Sequence, residues 1–188
     1  MKKELETGTD EIGGTVVSTE LPESPTKKKE ILLNFSDVFN CVRGTRLIRV
    51  NQVPGEIAYI SSTKENNGID DFINPPDDMI VYNNKITLSN SGSVCYCYYH
   101  NYNFVASDHA TIIWIKDENV TLNLYIALYL KPIFEAMRYK FNFGREISNK
   151  RLKNEKFKLP VDDEGKPDWE YMEKYIKSLP YIDKLIKD

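Results

Sequence analysis

Residues 85–116 read KITLSNSGSVCYCYYHNYNFVASDHATIIWIK, and this stretch indicates the class of fold. Short apolar runs alternate with Ser, Asn, Gly and Asp, a pattern typical of strands and turns. It predicts strands at 85–88, 94–99, 104–106 and 111–115. Their spacing favours a β-sandwich or a partly closed barrel over alternating βα units, so a doubly wound nucleotide-binding sheet is not expected.

The same pattern continues towards the N-terminus. Apolar runs at 47–50, 56–61 and 79–82 predict three more strands. Asn83-Asn84 stands directly after the third of these and predicts a two-residue hairpin turn into the strand at 85–88. Further upstream, residues 34–39 predict a capped helical turn.

Helical spacing dominates the other end of the chain. Thr121 is the predicted N-cap of a helix that Pro132 is expected to kink or divide. Asp168 is the predicted cap of a last helix, which Pro180 ends or bends. Four apolar residues of this helix share one face: Trp169, Met172, Ile176 and Leu179.

Composition divides the chain into three parts. Residues 1–30 lack a periodic apolar pattern and are expected to form a flexible leader. Residues 31–161 form the predicted β-rich globule, and residues 162–188 a short C-terminal helical segment, so the predicted fold class is α+β. No run of about 18 apolar residues occurs, and the three cysteines leave an odd thiol. These features predict a soluble, cytoplasmic protein without a membrane partner.

Positive charge is concentrated in one segment although the whole chain carries a net charge of −3. Residues 138–158 hold eight basic and two acidic residues, a local net charge of +6. Such an excess attracts a polyanion, and a solvated lysine-rich surface is the alternative that charge alone leaves open.

Three motifs carry weak catalytic or metal-binding signals. Asn74-Pro75-Pro76-Asp77 resembles the catalytic tetrapeptide of amino-methylating DNA methyltransferases, but Asp77 stands where an aromatic residue should stack on the flipped base. Glu164-Gly165-Lys166 has a nuclease-like Glu-x-Lys form without an aspartate on a preceding strand. A zinc site is also disfavoured, because the spacing of its candidate ligands is not that of a zinc finger. These ligands would be Cys95, Cys97, His100 and His109. No catalytic residue, metal or cofactor is therefore predicted.

The remaining interpretation is that the domain carries a binding surface. The loop from Ser61 to Gly68 is rich in side chains that both donate and accept hydrogen bonds, and Asn pairs well with an adenine edge. An ordinary Asn-Gly turn explains the same residues. Residues 95–100 hold three tyrosines that either contact phosphate or sugar or pack in the core.

Taken in order, several motifs resemble the type I restriction-modification DNA specificity domain, over about residues 31–179. The motifs are Phe35-Ser36-Asp37-Val38-Phe39 with Arg43-Gly44; Ile57-Ala58-Tyr59-Ile60-Ser61-Ser62-Thr63 with Asn66-Asn67-Gly68-Ile69; Lys85-Ile86-Thr87-Leu88 with Ser91-Gly92-Ser93; Phe104-Val105-Ala106-Ser107-Asp108; Phe141-Asn142-Phe143-Gly144-Arg145; Leu152 to Val161; and Pro167-Asp168-Trp169-Glu170-Tyr171-Met172-Glu173.

The resemblance implies a non-catalytic target-recognition domain that grips duplex DNA. A helix mounts it on a DNA methyltransferase subunit, in some systems with a restriction or translocase subunit. A full specificity subunit carries two such globules, so this chain is either a half-subunit that pairs with a copy of itself or one domain of a longer protein. A protein-interaction module that docks on a methyltransferase without reading DNA is the alternative function.

The predicted sites follow from the resemblance and from the charge pattern. The DNA-binding candidates are Arg43, Thr63, Lys64, Asn66, Asn67, Ser91, Ser93, Tyr139, Lys140, Arg145, Lys150, Arg151 and Lys153. The candidates for docking or dimerisation are Trp169, Met172, Ile176 and Leu179.

Overall fold

A computed structural model of the chain describes residues 23–141, 146–180 and 182. Most of the predicted leader, the DNA-binding candidate Arg145, and residues 181 and 183–188 lie outside the described residues. The strands are β1 (Glu30–Asn34), β2 (Phe39–Arg43), β3 (Val53–Ile60), β4 (Ile69–Asn74), β5 (Lys85–Ser89), β6 (Cys97–His100), β7 (Phe104–Ala106), β8 (Ala110–Ile115) and β9 (Lys156–Pro160). The helices are α1 (Phe35–Val38), α2 (Leu124–Glu135), α3 (Asn149–Lys153) and α4 (Trp169–Lys177). The predicted α+β class is confirmed.

An antiparallel four-stranded sheet forms the centre of the domain, in the order β2-β8-β5-β6. β8 reads ATIIWI, and five of its six residues are buried, because both of its faces are covered: Ile113 and Ile115 pack in the central core, and Ala110 and Ile112 in a second apolar cluster. The helix α2 packs on this sheet. Aromatic rings from α1, β2, α2 and β9 meet between the layers, with Phe35, Phe39, Phe134 and Phe157 in mutual contact.

A second sheet contains three strands in the order β4-β3-β7, with β3 parallel to β7. The predicted strand at 47–50 is wrong, because residues 49–51 form a 3₁₀ turn before β3 begins. The predicted hairpin at Asn83-Asn84 is also wrong. Tyr82 makes an isolated bridge to Phe104 instead of pairing with β5, so residues 79–82 do not form a strand. Strand β4, which the sequence did not predict, takes the edge position.

The helix α2 begins after Asn123, whose side chain accepts a hydrogen bond from the Ile126 amide. The predicted cap at Thr121 is therefore two residues early. Pro132 does not divide the helix, which continues to Glu135. The ring of Pro132 is exposed, and because proline has no amide hydrogen the last turn of the helix lacks one regular hydrogen bond, to the Leu128 carbonyl. No helix among the described residues is long and apolar enough to cross a membrane.

The two ends of the domain meet in a small antiparallel sheet, in which Glu30 lies opposite Pro160. The helix α4 follows, and the Asp168 side chain accepts from the Tyr171 amide as a cap, as predicted. Asp168 also forms a 3.0 Å ion pair with Lys28. Residue 28 belongs to the predicted leader, so residues 23–29 contact the C-terminal helix in the part of the chain that the structure describes. Met172 of α4 is fully buried in the central core.

Candidate nucleic-acid interface

The ends of several strands meet at one edge of the domain. In the central sheet, β2 and β5 end where β8 and β6 begin, because Arg43 lies opposite Thr111 and Leu88 lies opposite both Thr111 and Cys97. In the second sheet, Ile60 lies opposite both Ala106 and Ile69. The connections that follow these strands therefore lie side by side.

Hydrogen bonds join these connections to one another. Ser107 donates its amide to the Ile60 carbonyl, and the Ser61 and Ser107 hydroxyls are 3.2 Å apart. Gly92 lies against the Ser62 side chain. The Ile147 amide donates to the Asn90 carbonyl and brings the segment before α3 to the same place. We call this surface the loop edge, and it comprises residues 43–46, 61–68, 89–96, 107–109 and 146–153.

The loop edge carries an excess of positive charge. It holds six basic and three acidic residues. By contrast, β3 and residues 69–81, which include β4, hold five acidic and no basic residues. Charge therefore differs between these two regions, and of the two the loop edge is the one that suits a polyanion.

Several predicted DNA-binding residues lie together on the loop edge. Arg43 is exposed at the end of β2 and donates through Nε to the Asp108 carbonyl, at 2.5 Å. The Thr63 hydroxyl accepts from the Glu65 amide. Lys64 and Asn66 are exposed beside it. Asn67 is different, because its side chain bonds back to the domain, to the Tyr99 carbonyl and the Tyr102 hydroxyl, at 3.2 Å each.

The two serines of the turn after β5 differ in accessibility. Ser91 is buried, and its hydroxyl is 2.5 Å from Nδ1 of His109. Ser93 is partly exposed. Asn90, which precedes Ser91, is fully buried and donates to the Asp108 carbonyl and the Thr111 hydroxyl. Ser91 therefore supports the turn, while Ser93 remains accessible to a ligand.

The basic segment is divided between two places. Lys150, Arg151 and Lys153 are exposed on α3, which begins at the Ser148 cap. The helix α3 packs against β2, which brings the positive charge of Lys153 near the Cys41 thiol, whose pKa is raised by burial. Tyr139 lies instead in the 3₁₀ turn that follows α2, and Lys140 comes directly after that turn.

Two tyrosines that the sequence left open between DNA contact and core packing lie at the loop edge, each beside a cation that was not among the predicted DNA-binding residues. The rings of Tyr96 and Tyr98 are stacked with centroids 6.5 Å apart. The Arg138 guanidinium lies 3.9 Å from the centre of the Tyr96 ring, and Lys131 Nζ lies 4.8 Å from that of Tyr98. The sequence signal was the alternation of Tyr96 and Tyr98 along one strand face.

One carboxylate connects α2 with the open edge of β6. Glu135 lies between Lys131 and Arg138, at 2.8 and 3.4 Å. It accepts the Cys97 amide, and Lys131 donates to the Cys97 carbonyl. Together, the two α2 side chains satisfy both backbone groups of Cys97 on the outer edge of the central sheet.

The four candidate zinc ligands do not converge. Cys95 precedes β6 with a positive φ of 63°, so the assumption of a continuous strand from Cys95 was wrong. Burial raises the pKa of both Cys95 and Cys97 to about 12, which leaves neutral thiols. His100 bonds to Thr87 and Tyr102, and His109 to Ser91. No cluster of metal-binding side chains occurs within the described ranges.

The methyltransferase-like motif at 74–77 and the nuclease-like motif at 164–166 both have structural roles. Asn74 ends β4, and Pro76 accepts the Met79 amide in the following turn. Glu164 and Lys166 pair with each other at 2.8 Å, while Asp162 accepts both of their backbone amides. Each motif thus stabilises a turn.

The predicted docking residues of α4 are divided by burial. Met172 is fully buried in the central core and is not accessible to a partner in this structure, whereas Ile176 is 7% exposed and lines the same groove as Leu179. Trp169 is partly exposed and contacts Phe39. Leu179 lines an open groove of about 750 Å³ between α2, α4 and residues 25–30. Three tyrosines also line the groove: Tyr129, Tyr171 and Tyr175.

Comparison with known proteins agrees with this fold and with the resemblance in the sequence. The family model described as type I restriction modification DNA specificity domain matches residues 32–187. The S.BcgI specificity subunit of a type II restriction enzyme from Heyndrickxia coagulans is 30% identical over 142 residues, which are 76% of this chain and 41% of that protein.

Two solved structures share the fold. The S subunit of a type I restriction-modification system from M. genitalium has a TM-score of 0.59 and 14% identity, over 83% of this chain and 39% of that one. The HsdS subunit from Thermoanaerobacter tengcongensis has a TM-score of 0.52 and 15% identity, over 89% and 39%. The chain thus spans about two fifths of the length of these relatives. Because the family model covers most of its residues, the chain belongs to the type I restriction modification DNA specificity domain family.

Proposed function

We propose that this chain recognises a specific sequence in duplex DNA and directs a partner DNA methyltransferase to that site. The observation that carries the proposal is the loop edge, where polar loops from both sheets stand beside the exposed cations of Arg43 and α3. Cations that contact phosphates give affinity for any duplex, and polar side chains in the loops read base edges. In this proposal the chain supplies recognition and its partner supplies the reaction.

The phosphate-contacting residues are Arg43, Lys150, Arg151 and Lys153, with Arg46 as an addition from the structure. Arg46 is exposed next to Thr45, whose amide is fixed by the Ala106 carbonyl. The base-reading candidates are Thr63, Lys64, Asn66 and Ser93, since these are at least partly exposed on the loops. Arg145 stays a candidate on the strength of its sequence position alone.

We propose the groove between α2 and α4 as the docking surface for the methyltransferase subunit. Its aromatic lining suits a protein interface, because tyrosine combines a large apolar area with a polar end. Leu179 and Ile176 line this groove, whereas Trp169 lies in a separate depression beside Val38 and Ile115. A restriction or translocase subunit would join the same assembly, which acts on DNA in the cytoplasm.

Two recognition units are needed to read a site with two halves. We propose that they come from two copies of this chain or from a second domain in a longer chain, since specificity subunits of known structure are more than twice as long as the matched part. The mass of the complex in solution separates these arrangements.

Selection from a random duplex pool tests the proposed function. The full chain, alone and with its methyltransferase subunit, is incubated with the pool, and bound duplexes are sequenced. Enrichment of one sequence is expected, with affinity for it falling steeply between about 50 and 200 mM salt. A complex that enriches no sequence would exclude DNA recognition and favour a module that only binds protein.

A further inference from the structure

A chain of hydrogen bonds runs from the central sheet to the surface loop at residues 61–68. Thr87 of β5 lies 2.8 Å from Nε2 of His100, and Nδ1 of His100 lies 2.9 Å from the Tyr102 hydroxyl. That hydroxyl accepts from Nδ2 of Asn67 at 3.2 Å. Thr87 and His100 are buried, while Asn67 is at the surface. The loop is thereby connected to groups in the interior.

One arrangement of protons gives every member of this hydrogen-bonded series a partner. The Asn67 amide nitrogen can only donate, so the Tyr102 oxygen accepts and its own proton is available for Nδ1 of His100. His100 then carries its proton on Nε2 and donates to Thr87. Burial lowers the pKa of His100 to about 3, which keeps the ring neutral and suited to accept one bond and donate another.

The loop itself has an unusual backbone. Asn66, Asn67 and Gly68 have positive φ values of 48°, 55° and 81°, so three successive residues are left-handed. Such a turn needs external contacts to remain populated. Two contacts come from Tyr98: its hydroxyl donates to the Lys64 carbonyl, and its ring leaves no room for a Cβ atom on Gly68, which would lie 2.9 Å from Cδ2.

Asn67 supplies a further contact and also protects a strand edge. β6 is the last strand of its sheet, and its outer backbone groups need partners. Glu135 accepts from the Cys97 amide, Lys131 donates to the Cys97 carbonyl, and Asn67 donates to the Tyr99 carbonyl. Both bonds of the Asn67 side-chain nitrogen are therefore directed into the domain and away from a ligand.

We propose that Asn67 is a positioning residue, which fixes the 61–68 loop on β6 through Tyr99 and Tyr102, and that it does not read a base. The inference rests on the proposed DNA recognition and divides the roles within the loop. Pairing with an adenine edge needs one N–H of the Asn67 amide, and both are already used in bonds to Tyr99 and Tyr102, so it would break at least one of these bonds. Asn66 is exposed next to it and is the asparagine that faces the DNA.

Amide hydrogen exchange of the full chain without DNA tests the positioning role. Tyr102→Phe removes one hydroxyl and keeps the ring, and Asn67→Gly keeps the left-handed backbone and removes the amide. Each is expected to raise the exchange rates of the Ser61 and Gly68 amides about tenfold, with no change in β8. The double variant should be no faster than the faster single variant, because both break one connection.

Two matched controls isolate the effect. Tyr82→Phe alters another partly buried tyrosine that packs on the same small apolar cluster, and Asn66→Gly alters a neighbour with a similar φ. Both should leave loop exchange unchanged. Equal exchange in the wild type and in Tyr102→Phe would overturn the inference, and so would faster exchange throughout the domain.

DNA selection with the same variants tests the division of roles. Asn67→Gly is expected to weaken binding of all duplexes about tenfold with the preferred sequence retained, and Asn66→Gly to change the preferred sequence. A changed preference in Asn67→Gly would overturn the inference. If the wild-type complex selects no sequence, the proposed function fails, and the exchange experiment still decides whether Asn67 holds the loop.

Discussion

Lys140 Nζ lies 2.6 Å from Glu155 Oε2, inside the segment whose charge suggested a polyanion-binding surface. The hydrogen bond to Glu155 raises the pKa of Lys140 and keeps the pair charged. Its positive charge is therefore matched by a neighbouring carboxylate, whereas Lys150, Arg151 and Lys153 project from α3. The +6 segment thus has parts with different roles.

Replacement of Lys150, Arg151 and Lys153 together by Ala is expected to weaken binding of all duplexes. The slope of log affinity against log salt is negative, and each lost phosphate contact reduces its magnitude by about 0.9. The magnitude should therefore decrease by between about 1 and 3 in the triple variant. Titration of one duplex at several salt concentrations measures it. Lys140→Ala is the matched control and should leave the slope unchanged. An unaltered slope in the triple variant would remove α3 from the interface.

Glu135→Ala is expected to destabilise the domain by about 1–3 kcal/mol, because the Cys97 amide loses its acceptor and two cations lose their carboxylate. Glu170→Ala breaks only the exposed pair with Lys174 and should change the free energy of unfolding by less than about 0.5 kcal/mol. Urea unfolding compares the two variants. Equal effects would mean that Glu135 does not hold β6.

Met172→Ala tests whether α4 is part of the domain core. The side chain is fully buried, so its truncation should lower the free energy of unfolding by about 2–5 kcal/mol. Lys174→Ala, on the exposed face of the same helix, should have an effect below about 0.5 kcal/mol. Thermal and urea unfolding provide the values. A small effect of Met172→Ala would indicate a helix that is separable from the globule.

His100 predicts a loss of stability at mildly acidic pH. Burial lowers its folded pKa to about 3, so from about pH 6.5 downward the unfolded chain binds a proton that the folded chain does not. The contribution of His100 is complete above its unfolded pKa and decreases as the pH falls towards 3. At about pH 5 the loss is about 2 kcal/mol.

The free energy of unfolding, measured at about pH 7.5 and about pH 5, gives the size of this loss. His100→Gln should show a smaller difference between the two pH values than the wild type. His109→Gln alters the exposed histidine of the loop edge and should behave as the wild type. The same pH dependence in wild type and His100→Gln would contradict the assignment.

The sequence predicts those elements whose signal is local. Strands β5, β7 and β8 and the Asp168 cap of α4 follow from short apolar runs and a capping residue, and all are confirmed. β4 was missed because Asp70 and Asp71 lower its strand propensity, and the edge position tolerates them. β9 was missed because Phe157 and Leu159 alternate within a run of lysines that was interpreted only by its charge.

The candidate site depends on long-range pairing, which residue spacing does not encode. The parallel pairing of β3 with β7 brings residues 61–68 next to residues 107–109, and nothing in either loop indicates the other. The sequence shows that Asn67 can donate hydrogen bonds. Only the fold shows that Tyr99 and Tyr102 receive them. Similarly, Met172 and Ile176 were correctly placed on one helix face, but only the fold shows that Met172 is buried in the central core while Ile176 lines the groove beside α2.

The pairing of Glu30 with Pro160 means that the polypeptide enters and leaves the recognition unit at neighbouring points. A unit with adjacent ends can be transplanted into another chain, or duplicated within one, without displacing the flanking segments. If the chain recognises DNA as proposed, exchange of whole units between proteins would produce new specificities. The apolar contacts of α2 with Met172 set the condition for such a graft, because the incoming unit must present a matching face to α4.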